Sequence, residues 1–281
     1  MSATRASTRR DLARLVRSRT AWLAATLFAA VALASWIPWI GSDYLLADDR
    51  PLLLAVSGTT PWIPLFAIAL GLAAIRTERE PASASDATRT DSSAVRTFGA
   101  IGARSVVLVA TVAIVVALMA AFARFHAMRP LSFVGGVAAV SLFGLAWLGT
   151  TVGVASVLET KRRALAVVLG LYLLFGILWR ETVVALASFV FTGQTSPDLE
   201  EPVVLASLEE PAWYAYLTRL NPFDAFEGAT YYLPRVLEAI LLGESTVAPH
   251  PPNLFGLGVL LAWLVGPVAI GYWSVQRSET G

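Results

Sequence analysis

The chain has no cysteine, one lysine and two histidines among 281 residues, and only 15% of it is charged. The missing cysteines exclude a disulfide framework, an iron–sulfur cluster and any thiolate metal site. His126 and His250 lie far apart and have no ligand-like neighbours. The single lysine sits in Leu158-Glu159-Thr160-Lys161-Arg162-Arg163, with no glycine in the seven residues before it. A Walker A loop needs glycines ahead of its lysine so that backbone amides can cradle phosphate, so nucleotide binding of that kind is excluded. A soluble domain carries about a quarter charged residues. A chain that is 56% hydrophobic, with a mean hydropathy of +0.65, reads instead as a polytopic membrane protein.

A crossing helix needs about 20 mostly apolar residues. Charge-free runs cover 20–40, 52–75, 105–123, 131–158, 164–179 (resuming at 183–191) and 254–275. Each is broadly apolar rather than one-sided, which predicts six spans in an all-α membrane protein. Trp22, Trp36, Trp39, Trp62, Trp179 and Trp273 fall at span ends, where indoles anchor at the interface. With both termini on the inner side, inner segments 1–19, 76–104, 159–163 and 276–281 hold fifteen basic residues. Outer segments 41–51, 124–130 and 180–253 hold six. The positive-inside bias therefore predicts an N-in, C-in cell-membrane protein with both termini cytoplasmic.

Arg9-Arg10 before an apolar run resembles a twin-arginine export signal. Arg14, Arg17 and Arg19 separate the pair from that run, which is itself long enough to span. Residues 7–19 read better as an amphipathic helix on the inner membrane surface. Thr8 is its expected cap, and Arg10, Arg14 and Arg17 form a face suited to anionic lipid headgroups. The inner loop 76–104 opens on Arg76-Thr77-Glu78-Arg79-Glu80 and continues into a polar, low-complexity stretch. The outer segment 180–253 is aromatic and contains Leu220-Asn221-Pro222-Phe223, which predicts a helix capped by Asn221 with Pro222 at its first position. Helices at the outer interface, or dipping into it, are expected there.

No ionisable residue falls within the core of any expected span, which argues against a proton relay or an intramembrane protease. Arg180-Glu181 reads as a pair at the outer interface. Arg219, Asp224 and Glu227 could serve an interfacial lipid-metabolising enzyme, but capping and surface solvation explain them more simply. Gly149-Thr150-Thr151-Val152-Gly153 reads as close helix packing within the subunit before a dimer contact.

The basic lead-in, six expected spans, Glu78-Arg79-Glu80 after the second and Leu220-Asn221-Pro222 before the last together resemble the permease subunits of type-2 ABC transporters. The pattern is closest to permeases grouped with multicopper-enzyme maturation, archaeal members among them. Gly99 and Arg104 resemble the family's Gly-Lys-x-x-Gly-Arg segment, with Ala100 and Ala103 in place of the lysine and the second glycine. Lys161-Arg162-Arg163 resembles its basic turn before the fifth span.

The resemblance implies a single permease domain over 1–281. It implies a separate ABC ATPase subunit contacted through Glu78, Arg79, Glu80, Arg96 and Arg104, a second permease copy or related permease, and membrane lipid around them. No cofactor and no nucleic acid are implied, and ATP hydrolysis would fall to the partner. A non-transporting membrane scaffold is the rival reading. Copper binding is not implied, since three methionines, two histidines and no cysteine make a poor copper path.

Overall fold

The computed structural model describes residues 2–35, 37, 58–79, 93–122, 130–158, 160–195, 211–243 and 249–280. Among the described residues every regular element is helical. In chain order these are α1 (Ser2–Val16), α2 (Arg19–Ala34), α3 (Ile63–Arg79), α4 (Ser93–Phe122), α5 (Pro130–Val157) and α6 (Lys161–Leu173). A π-helical segment, Leu174–Val184, runs straight into α7 (Ala185–Thr192). Then follow α8 (Ala212–Thr218), α9 (Pro222–Leu242) and α10 (Pro251–Thr280).

The described residues contain four helices long and apolar enough to cross a membrane: Ile101–Met119, Phe133–Val157, Lys161–Thr192 and Pro251–Ser274. Arg19–Ala34 and Ile63–Leu72 are apolar but shorter. Within the first expected span α2 ends at Ala34, where the Ser35 hydroxyl turns back to the Ala32 carbonyl at 2.6 Å. The rest of that span, except Ile37, lies outside the described residues, as does most of the start of the second. The second helix begins at Ile63, just after Pro61.

The fifth span joins its two expected stretches, 164–179 and 183–191. It does not stop at Trp179 but continues through Arg180 and Glu181 to Thr192 as one helix. Charge alone does not end a helix, and no proline or glycine breaker stands at that point.

Helix α5 is the centre. In its apolar window 72% is buried, against 11% for Lys161–Thr192. Helix α10 lies along it through the two glycines of the Gly149–Gly153 pair. A Cβ at Gly153 would sit 2.2 Å from the Pro267 carbonyl oxygen, and one at Gly149 2.7 Å from that of Leu264. The pair thus serves packing inside the subunit.

Pro267 lies within α10 and has no N–H for the carbonyl of Trp263, four residues back. The single proton of the Thr150 hydroxyl of α5 is shared between that carbonyl, at 3.2 Å, and the Ala146 carbonyl of its own helix, at 2.9 Å, so the acceptor freed by the proline has a shared donor across the helix pair. Helix α9 joins the same core: a Cβ at Gly135 of α5 would lie 2.4 Å from Pro234 Cα, and one at Gly228 2.2 Å from the Asn253 carbonyl oxygen.

Helix α1 starts at Ser2, so Thr8 is nearly two turns inside it and does not cap it. The earlier start follows from Ser2-Ala3-Thr4-Arg5-Ala6, a stretch without a breaker. The helix packs on α4, where the Thr8 side chain occupies the space beside Gly102. Ser7 and Leu15 are buried, while Arg9, Arg14 and Arg17 are exposed.

Candidate functional site

Polar side chains converge where the turn between α8 and α9 meets the π segment and the start of α10. Thr218 to Pro222 form that turn, and Asn221 caps α9 by accepting the Phe223 N–H at 3.0 Å, with Pro222 in the first turn. This is the helix start expected from Asn-Pro: the cap side chain satisfies an orphan amide, and proline has no amide to leave unpaired. The Asn221 amide group has two further tasks. It donates to the Phe175 carbonyl of the π segment at 2.8 Å and to Asp224 Oδ2 at 3.0 Å.

Arg180 reaches from the π segment to the other Asp224 oxygen. Its Nε donates to Asp224 Oδ1 at 2.9 Å, and Nη2 bonds the same oxygen. The same Nη2 lies 3.5 Å from Glu227 Oε1. Arg219, at the end of α8, is fully buried. Its Nη2 donates to Glu227 Oε2 at 2.9 Å, Nε to Asn253 Oδ1 of α10 at 2.8 Å and Nη1 to the Ala215 carbonyl at 3.3 Å.

Two arginines and two carboxylates therefore form one neutral network. It fastens the α8–α9 hairpin to the fifth-span helix on one side and to α10 on the other. Asp224 lies outside the spanning helices. Burial pushes its carboxyl up from the ordinary carboxylate range, against the pull of Arg180, Asn221 and Arg219. Trp179 adds a bond from its indole N–H to the Leu217 carbonyl at 3.3 Å.

Two sequence-based expectations are corrected by this geometry. The ion partners that Arg180 takes are Asp224 and Glu227, forty-odd residues on, not its neighbour Glu181. Asp224 and Arg219 are not solvated surface charges, since 5% and 0% of them is exposed. A buried charge persists only when paired and hydrogen-bonded, and the crossed Arg–carboxylate pairs supply both conditions.

Below the network lies an aromatic cluster. Phe223, from the first turn of α9, makes edge contacts with Phe143 and Trp147 of α5 and Tyr172 of α6, at centroid distances of 5.3, 5.6 and 5.7 Å. Phe226 stacks on Phe143 at 5.0 Å.

The residues expected to meet an ATPase lie elsewhere. Glu78 and Arg79 end α3, Arg96 lies in the first turn of α4 and Glu80 is outside the described residues. Arg104 is 3% exposed, and its Nε donates to the Leu70 carbonyl at 3.0 Å, tying α4 to α3. Lys161 starts α6, where the Thr160 hydroxyl caps the Arg163 N–H. Among the described residues no group of three His, Asp or Glu side chains could hold a metal.

Sequence reasoning named Arg219, Asp224 and Glu227 together but missed Arg180 as their partner. It also missed Asn253 and the Phe223 cluster. An arginine inside the apolar stretch 164–191 was the available signal for the first. Asn253 gave none.

A family model described as ABC-2 family transporter protein matches residues 97–280, from α4 through α10. No curated protein matches the chain.

Proposed function

The chain belongs to the ABC-2 family of transporter proteins, and on that premise we propose how this permease subunit is driven and arranged. The family supplies the membrane-spanning part of an ABC transporter and is not itself catalytic. Hydrolysis is assigned to a separate ATPase subunit, and a second permease copy or related permease completes the transporter. Six segments cross the membrane, with both termini cytoplasmic. The basic bias of segments 1–19, 76–104, 159–163 and 276–281 supports that arrangement, and α2 and α3 supply the two shorter crossings.

The rise from Lys161 to Arg180 is about 28 Å and that from Gly256 to Arg277 about 31 Å, each close to one hydrocarbon thickness. The Arg180–Asp224 network then lies at the outer boundary. The α8–α9 turn dips below it, and α1 lies inside with Arg9, Arg14 and Arg17 available to anionic headgroups. Among ABC-2 permeases we place the chain beside those grouped with multicopper-enzyme maturation, on Glu78-Arg79-Glu80 and Leu220-Asn221-Pro222.

The observation that carries the mechanism is the Arg104 bond to Leu70. It joins the two helices that flank loop 76–104, so a push on Glu78, Arg79, Glu80 or Arg96 moves α3 and α4 together. ATP-driven closure of the ATPases pushes that loop and switches the spans between inward- and outward-facing states. Arg104 contributes from inside the pair.

Charge reversal at the loop tests this. Glu78→Lys with Glu80→Lys is expected to leave membrane insertion intact and to abolish transport-linked stimulation of the partner ATPase, at least tenfold in reconstituted vesicles. Unchanged stimulation in the double variant removes these residues from the mechanism.

A further inference from the structure

The fifth-span helix, Lys161–Thr192, is apolar over 32 residues, yet only 11% of its apolar window is buried. At about 1.5 Å per residue it is about 48 Å long, against about 30 Å of hydrocarbon. Fitting all of it between the two boundaries takes a tilt of about 50°, beyond the range of about 0–40° for spanning helices. Lipid tails therefore leave part of its apolar face uncovered. With Lys161 at the inner boundary and Arg180 at the outer one, the uncovered part lies beyond Arg180. Leu186, Phe189 and Val190 there are each more than half exposed. On the other side of Arg180, Ile177 and Leu178 are about half exposed.

Two charges interrupt this face. Arg180 is 54% exposed, and its bonds to Asp224 and Glu227 use only Nε and Nη2, so Nη1 is a spare donor among the described residues. Glu181 is exposed and has no hydrogen bond or ion pair among them. A spare donor and a bare carboxylate thus stand at one height. A zwitterionic headgroup offers both signs, but its tails run only toward the bilayer centre, whereas the face is apolar on both sides of the charges. The complementary surface carries a cation and an anion at the same height, with apolar side chains above and below. The chain itself has that surface.

We propose that the outward face of the fifth-span helix is the contact between two copies of this chain, with Arg180 of each copy opposite Glu181 of the other. Both copies sit in the membrane in the same orientation, so a two-fold axis between them runs along the membrane normal. Such an axis brings residues of equal height together, and each contact occurs twice. The crossed Arg180–Glu181 pairs fix the register, and Phe189 and Val190 of each copy cover those of the other beyond the hydrocarbon. Arg180 also holds Asp224, so the contact joins the charge networks of the two α8–α9 hairpins. The contact rests on the two-permease reading and names the surface that serves it.

The chain has no cysteine, so an introduced one is its only thiol. Single variants Ile177→Cys, Phe189→Cys and Val190→Cys of the full-length chain are oxidised with copper phenanthroline in their membranes. Covalent homodimers are expected from them. Ile114→Cys of α4 and Ile270→Cys of α10, each 60% exposed in the wild-type chain, are expected to stay at background. Adding Glu181→Lys to Phe189→Cys opposes like charges across the axis and is expected to lower the dimer yield at least fivefold. Glu181→Asp keeps the charge and is expected to retain most of the yield. Glu181 is exposed, so neither change disturbs the core of one copy.

Dimers formed equally from Ile114→Cys or Ile270→Cys overturn the contact, as do fifth-span dimers indifferent to Glu181→Lys. Absence of dimers from the fifth-span positions, in membranes where an ATPase subunit still accompanies the chain, also overturns it: the face then meets lipid or a different permease. The permease reading survives that result, because it stands on the ATPase and not on this contact.

Discussion

Arg219→Ala is expected to destabilise the folded chain by about 3–5 kcal/mol, the range for breaking a buried ion pair from one side. The guanidinium is fully buried and serves three acceptors on three different segments: Glu227 of α9, Asn253 of α10 and the Ala215 carbonyl of α8. Alanine takes from Glu227 the donor at 2.9 Å, and Arg180 stands farther off at 3.5 Å on a half-exposed side chain. It also leaves the Asn253 oxygen buried without its donor. Arg219→Lys keeps the charge but cannot reach three acceptors from one ammonium, so an intermediate loss is expected. Thermal unfolding of the purified protein in detergent reads both. A midpoint unchanged in Arg219→Ala would mean that the network does not hold the hairpin.

The second large effect is expected at Gly153. A Cβ there would meet the Pro267 carbonyl oxygen at 2.2 Å and the carbonyl carbon at 2.3 Å. These are backbone atoms, so no rotamer change relieves the contact, and α5 and α10 must move apart. Separation also stretches the bond from Thr150 to the Trp263 carbonyl, the acceptor that Pro267 leaves free. Gly153→Val is expected to cost about 3 kcal/mol or more, at the upper end of overpacking effects. Gly170 is the internal control. Nothing lies within 4 Å of a Cβ there, so Gly170→Ala is expected to be neutral or stabilising by up to about 1 kcal/mol. The same unfolding assay separates the two. Similar midpoints for Gly153→Val and Gly170→Ala would contradict the packing of α5 on α10.

The contrast between these positions shows what the sequence could reveal. Apolar composition and the length of the apolar runs made the helical membrane class legible. The Asn221-Pro222 helix start was legible because capping is local chemistry, contained within three residues. The role of Gly149 and Gly153 was readable as close packing, since glycine at that spacing has few other uses.

The charge network was not readable in full. Arg180 and Asp224 are far apart in sequence, and their pairing depends on the α8–α9 turn folding back onto the fifth-span helix. Arg180-Glu181 looked like a local pair because adjacency is all that a sequence displays. Asn253 lies two residues beyond the Pro251 that opens α10, and its tie to Arg219 depends on a tertiary contact with no local signature. The outer limit of the fifth span stayed open for a related reason: the sequence shows two charged residues after Trp179, and only a partner across the interface lets the helix carry Arg180 on to Thr192.

The proposed coupling of this permease to a separate ATPase through loop 76–104 is tested most directly by purifying the tagged chain from gently solubilised membranes and determining the identity and stoichiometry of the proteins that accompany it. An ABC ATPase subunit is expected in one-to-one ratio with the chain, lost when residues 80–92 are replaced by a neutral linker and Glu78 and Arg79 are neutralised, while Arg104 and the flanking helices are kept. Recovery of the chain without any nucleotide-binding subunit, from an extract in which other ABC transporters remain intact, would contradict it and favour a membrane scaffold.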